Sequence, residues 1–179
     1  MKKPIAFFVL CSFLLIQSTP SLAWEARVVE VTDGDTITVE PANGGDRVKI
    51  RLHGIDAPET RQPYGQTAKG FVNGAALHKQ VDVRVTPQGK DRYGRVIAVI
   101  ALPDGTILQE LLLEAGLAWV YPQYCKNCKA WEAMEAEARS RRKGLWTEEN
   151  PVEPWKWRIR WQRQEKLRKL GAHLDCSLV

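Results

Sequence analysis

VVEVTDGDTITVE, residues 28–40, alternates apolar and polar residues on both sides of Asp33-Gly34. Alternation is the mark of a strand with one buried face, and an Asp-Gly pair between two such runs is a strong hairpin signal. Working outward, RVKIRLHGI (47–55) and VDVRV (81–85) alternate in the same way, and RVIAVIAL (95–102) is a near-continuous apolar strand candidate. Turn residues separate these runs at Asn43-Gly44-Gly45, Pro87-Gln88-Gly89, Tyr93-Gly94 and Asp104-Gly105. Five short strands predict a small closed barrel. Three helices follow from the remaining texture: about Gly65 to Leu77; Ile107 to about Ala115, stopped by Gly116; and WEAMEAEARSRRKG (131–144). The third has its acids early and its bases late, which suits the helix dipole, and Gly144 ends it. The fold class expected is α+β, mainly β.

At 179 residues, 44% hydrophobic and 26% charged, the chain has the composition of one ordinary globular domain. Its first segment is set apart. Lys2 and Lys3 precede an apolar run from Ile5 to Ile16, and Ser21-Leu22-Ala23 has the small-x-small form of a cleavage site. Residues 1–23 therefore read as a secretory signal, too short in its apolar part to span a bilayer, and the expected location is periplasmic or secreted with no stable membrane anchor after cleavage. Loss of Lys2 and Lys3 takes the net charge from +5 to +3. From Pro151 onward seven bases face three acids, a balance of +4, so the body from 24 to 150 carries about −1. Any attraction that body has for a polyanion must come from clustered charge. Residues 151–179 form a basic, Trp- and Arg-rich tail in which WKWRIRW (155–161) alternates apolar and basic residues. Part of it is expected to pack on the body and the rest to be loosely ordered or a frayed helix, with the tail supplying phosphate contacts away from the chemistry.

Cys125, Cys128 and Cys176 remain after processing. In an oxidising compartment a local Cys125–Cys128 disulfide is the simplest pairing, with a bridge to Cys176 or free thiols as alternatives. Zinc would need about four ligands, and the chain offers only His53, His78 and His173 besides the cysteines.

TDGDT (32–36), RLHGIDAPE (51–59) and DRYGR (91–95) each have a dull reading as turns. Together, in this order and between β runs, they hold two carboxylates for a hard divalent cation (Asp35, Asp56), one to orient or activate water (Glu59), and two guanidiniums for an anionic phosphorane (Arg51, Arg95). Arginine suits that task because its planar fork meets two phosphate oxygens at once. These motifs resemble the staphylococcal nuclease family, and the resemblance runs from about Trp24 to Trp146. It implies a five-stranded OB-type barrel with three helices, and an endonuclease hydrolysing phosphodiester bonds of DNA and RNA with calcium and leaving 3′-phosphates; magnesium is not excluded. Carried over by position, Asp35 and Asp56 match its calcium carboxylates, and Ala57 stands where a backbone carbonyl meets the metal. Glu59 matches its catalytic glutamate, and Arg51 and Arg95 its phosphate-binding arginines. Arg92, Tyr93 and Tyr124 resemble its substrate-contacting positions. A monomer is expected. The competing reading is a non-catalytic OB-fold nucleic-acid-binding protein, which would have no use for metal carboxylates; a redox module built on Cys125 and Cys128 is the third.

Overall fold

A computed structural model describes residues 23–175, with side chains as far as 169. The segment read as a secretory signal, other than Ala23, and Cys176 lie outside the described residues. Five strands close a barrel in the order β1 (Ala23–Val31), β2 (Thr36–Pro41), β3 (Val48–Leu52), β6 (Val96–Ala101) and β5 (Gln80–Lys90), with β5 returning to β1. All neighbours are antiparallel except β3 and β6, which pair parallel from Ile50↔Val96 to Leu52↔Ala98. Two short strands, β4 (Ile55–Asp56) and β7 (Trp119–Val120), pair beside the barrel. This is the mixed five-stranded barrel expected from the alternating runs. Val28, Ile37, Val39, Ile50 and Ile100 fill it, all fully buried.

Helices α1 (Gly65–Ala76), α2 (Leu108–Glu114) and α3 (Lys129–Ser140) fall where the sequence put them. Ala68, Val72 and Ala76 of α1 and Leu108, Leu112 and Leu113 of α2 join the barrel core. Gln109 is also fully buried, and its amide donates to the Ala98 carbonyl at 3.0 Å while its oxygen accepts from the Ile100 N–H at 3.2 Å. A buried amide with both ends satisfied fixes the helix on β6 without a desolvation penalty. Trp119 and Trp146 pack edge to face at 5.2 Å, so both are packing residues.

The fold departs from expectation in the tail. Pro154–Asp175 is one helix, α4, so the described residues hold four α-helices and not three. Sequence reading expected part of WKWRIRW to pack on the body and the rest of the tail to be loosely ordered or a frayed helix, and one continuous helix runs through both. Pro154 occupies the first helical position, where its missing N–H costs nothing, and the Arg, Lys, Gln, Glu and Leu that follow are good helix formers. Trp155, Arg158 and Trp161, three apart, share the face turned to the body: Trp155 stacks on Tyr121 at 5.1 Å, and Arg61 lies over Trp161 at 5.4 Å.

Candidate active site

The β1–β2 turn brings the first carboxylate to the second. Gly34 sits so close to the body that a Cβ there would fall 2.7 Å from the Ala57 Cβ and 2.8 Å from the Ala68 Cβ. Its φ is not positive, so glycine is required here for room and not for backbone conformation. With the turn seated, the Leu52 N–H donates to the Asp35 carbonyl at 2.8 Å, and the Ala57 N–H donates to Asp35 Oδ2 at 2.7 Å. Asp56, at the end of β4, is only 1% exposed. Gly65 similarly lies hard against the Glu59 carbonyl, where a Cβ would clash, and this tight 59–65 loop sets the position of Glu59. Gln62 is buried inside that loop and accepts from the Glu59 N–H at 3.2 Å.

Arg51 ties the pair together. Its Nη2 lies 2.8 Å from Asp56 Oδ1 and 3.2 Å from Asp35 Oδ2, while Nη1 donates to the carbonyls of Leu52 and Ile55, both at 2.8 Å. Three of the five guanidinium N–H groups are thereby hydrogen-bonded within the protein and the contact to Asp35 is an ion pair, so Nε–H and one Nη2–H remain. Arg51 thus also braces the two carboxylates, a part that sequence reading did not give it. Arg95 is held differently: Nε donates to Asp91 Oδ2 at 2.6 Å and Nη1 to Thr36 Oγ1 at 3.3 Å, and Thr36 in turn donates to Asp35 Oδ1 at 3.1 Å. One hydroxyl therefore links Arg95 to the carboxylate pair. Tyr93 is 69% exposed, with Arg92 and Arg95 over its ring at 4.8 and 5.5 Å. Tyr124 is exposed and meets Tyr121 edge to face at 5.0 Å.

Three participants escaped the sequence reading. Asp33 accepts from the Asp35 N–H at 3.0 Å, and its carboxyl is pushed up to about 7, first by burial and then by the charge of Asp35. The DGD spacing was the available signal. Tyr121 lies under Trp155, and its hydroxyl is raised by burial and next by the Asp56 charge. Arg158, from α4, enters the site itself: Nη2 is 2.8 Å from Asp56 Oδ2, and Nη1 is 3.2 Å from Asp56 Oδ1 and 2.7 Å from Glu59 Oε1. The tail therefore does not stand apart from the chemistry, as its charge pattern had suggested. Nothing in the sequence distinguishes Arg158 from its six basic neighbours in the tail.

The electrostatics are those of a site with excess negative charge. Asp56 is raised to about 6, mainly by burial and then by Asp35, even though Arg158 and Arg51 pull the other way. Burial works against the charge of Arg158, but its bonds to Asp56 and Glu59 outweigh that and hold it protonated. Crowded carboxylates with elevated proton affinity are what a bound dication relieves. Among the described residues no three His, Cys, Asp or Glu side chains gather into a ready-made cage. The donors are instead two carboxylates sharing one guanidinium nitrogen, a lean, all-oxygen set that suits a hard cation keeping water and substrate oxygens in its remaining positions.

Cys125 and Cys128 form a disulfide, so neither sulfur is a thiolate ligand. Cys125 is buried against Gly54, where a Cβ would fall 2.8 Å from its sulfur. The bridge thus braces the loop that carries Tyr121 and Tyr124. No helix among the described residues is long and apolar enough to cross a membrane.

Residues 49–148 match the family described as staphylococcal nuclease homologue. An uncharacterized endonuclease of Escherichia coli is 40% identical over 149 residues, covering 82% of this chain and 94% of the relative. A micrococcal nuclease of Shigella flexneri is 37% identical over 160 residues, covering 84% and 90%. A staphylococcal-like nuclease CAN1 of Arabidopsis thaliana is 41% identical over 115 residues, covering 63% of this chain and 33% of that one. The family match takes in Arg51, Asp56, Glu59 and Arg95; Asp35 and Arg158 lie on either side of it.

Proposed function

The chain belongs to the staphylococcal nuclease family, and from that premise we propose that it is an endonuclease hydrolysing phosphodiester bonds of DNA and RNA with a hard divalent cation, calcium, leaving 3′-phosphates, in the periplasm or outside the cell. The observation that carries this reading is the joining of Asp35 and Asp56 through one nitrogen of Arg51, with Glu59 three residues further along. A binding module has no need to hold two carboxylates together at the cost of burying them.

Asp35, Asp56 and the Ala57 carbonyl would hold the cation, which would supply charge neutralisation at the phosphate and a more acidic water. Glu59 accepts a proton from the attacking water or fixes its orientation. A carboxylate is by itself a weak base toward water, so a more acidic water would strengthen its effect. Arg51 keeps the two carboxylates ionised and in register and offers its Nε–H toward substrate. Arg95 donates from its free Nη2 to phosphate oxygens, where the benefit grows with the negative charge of the transition state. Arg92 and Tyr93 form an exposed face for a nucleoside and its phosphate, and Tyr124 contributes a second ring at the disulfide-braced loop.

The test is incubation of the purified protein with single-stranded DNA, duplex DNA and RNA in calcium, magnesium or chelator, with identification of the ends. Cleavage to 3′-phosphates that stops in chelator is expected, and Glu59→Gln should lower the single-turnover rate by about 10²-fold or more while leaving oligonucleotide binding within a few-fold. Full activity in excess chelator would overturn the metal assignment. Binding without cleavage under all conditions would replace the enzyme by a binding module.

A further inference from the structure

The same geometry that brings Arg158 into the site sets it against any cation bound there. We propose that Arg158 gates the metal site: α4 presents its guanidinium to Asp56 and Glu59 as an internal counter-cation, and a divalent cation gains Asp56 as Arg158 gives it up. The inference rests on the divalent-cation reading above. From the α4 side Arg158 reaches both oxygens of Asp56, at 2.8 and 3.2 Å, while Arg51 takes Oδ1 from the other side. A carboxylate must turn a lone pair toward the cation it binds, and three of the four on Asp56 already face guanidinium nitrogens. Charge acts in the same direction. Asp35, Asp56 and Glu59 against Arg51 alone leave two surplus negative charges, and Arg158 reduces the surplus to one.

Of the two arginines, Arg158 is the one built to leave. Arg51 is anchored by two backbone carbonyls and is 14% exposed. Arg158 is 38% exposed, as is Glu59, and its hydrogen bonds go to carboxylates alone, the groups whose charge a dication takes over. Apart from Arg158, the start of α4 is held to the body by apolar and aromatic contacts, Trp155 on Tyr121 and on the Trp119–Trp146 cluster, Trp157 beside Gln62 and Trp119, and Trp161 under Arg61, so the guanidinium can leave without the helix undocking. Once released, the guanidinium has an obvious second partner in a phosphodiester of the substrate, so metal and nucleic acid should bind with positive coupling.

Calcium affinity measured by calorimetry on the full protein tests this without relying on turnover. Arg158→Gln should bind calcium about tenfold more tightly than wild type, since the pairing is partly solvent-screened and biases the site by about that factor. Arg160→Gln removes the same charge from an exposed position on the same helix and should stay within about twofold of wild type. In the wild-type protein, calcium should speed hydrogen exchange of amides 155–161, because the helix loses its ionic anchor. An Arg158→Gln affinity no tighter than that of Arg160→Gln overturns the gate, as does slower exchange of the helix with calcium; should the variant not fold, the exchange measurement on wild type decides. A wild type that binds calcium and cleaves, with Arg158→Gln unchanged, removes this inference alone. A wild type that neither binds a hard divalent cation nor cleaves removes the nuclease reading and the gate together.

Discussion

Arg51→Met keeps most of the side chain's length and apolar stem while deleting every donor, and the structure allows its cost to be worked out. In the metal-free protein at pH 7.5 the loss exposes Asp56 to Asp35 without their shared counter-ion. A fully uncompensated buried charge costs about 3–5 kcal/mol, but Arg158 still pairs with Asp56 and the site has a cheaper escape. Asp56 titrates at about 6, so protonating it at pH 7.5 costs roughly 2 kcal/mol, at ~1.36 kcal/mol per pH unit. The Leu52 and Ile55 carbonyls also lose their donor, at about 1 kcal/mol each. The variant should therefore be less stable by about 4 kcal/mol at pH 7.5. At pH 5 Asp56 is largely protonated in both proteins and the electrostatic part disappears, leaving about 2 kcal/mol. The sign follows from linkage. Because the folded-state affinity of Asp56 is raised above the ordinary 3.8, its contribution to stability is present in acid and is lost as pH climbs through about 6, and it is lost more steeply once Arg51 is gone. Urea denaturation followed by tryptophan fluorescence in chelator, at both pH values, measures the difference. A penalty that is flat with pH, or larger at pH 5, would show that Arg51 does not bridge the two carboxylates.

Asp91→Asn should loosen Arg95 without disturbing the metal ligands. Burial alone would raise Asp91, but its bonds from Arg95 and the Tyr93 N–H win and lower it, so its contribution is present above the ordinary value and lost as pH falls through the depressed one. A stability loss of about 1–2 kcal/mol at pH 7 that shrinks as pH falls below 3.8, with a rate loss of about tenfold at unchanged calcium affinity, is expected from denaturation, cleavage and calorimetry. Equal stability loss at pH 3 and 7 would rule the ion pair out as the cause. Replacing Cys125 and Cys128 with serine should cost about 2 kcal/mol, since the closed loop is short, and leave calcium binding intact. Loss of activity in a double variant whose circular dichroism is native would instead give the cysteines a chemical role.

The hairpin, the barrel and the first three helices were legible in the sequence because each is announced by local periodicity and turn residues, and the closed barrel satisfies those local preferences without conflict. Asp35, Arg51, Asp56, Glu59 and Arg95, which sit in short contiguous motifs, were named there as well. What they do to one another was not. Arg51 reads as a phosphate-binding arginine, and only the folded chain shows that three of its donors hold Asp56 and the carbonyls of Leu52 and Ile55, with Asp35 alongside. Asp33 looks like a turn residue until burial beside Asp35 raises its proton affinity. Arg158 is the sharpest case, since it stands 102 residues from Asp56 in the chain and meets it only in the folded protein. The tail is helical, and three-residue spacing turns Trp155, Arg158 and Trp161 to the body together. Local pattern determines which elements form and which side chains carry charge. Which charges are paired, buried or free to meet a ligand depends on contacts between distant segments, and those are set by how the closed surface excludes water and leaves edges or none.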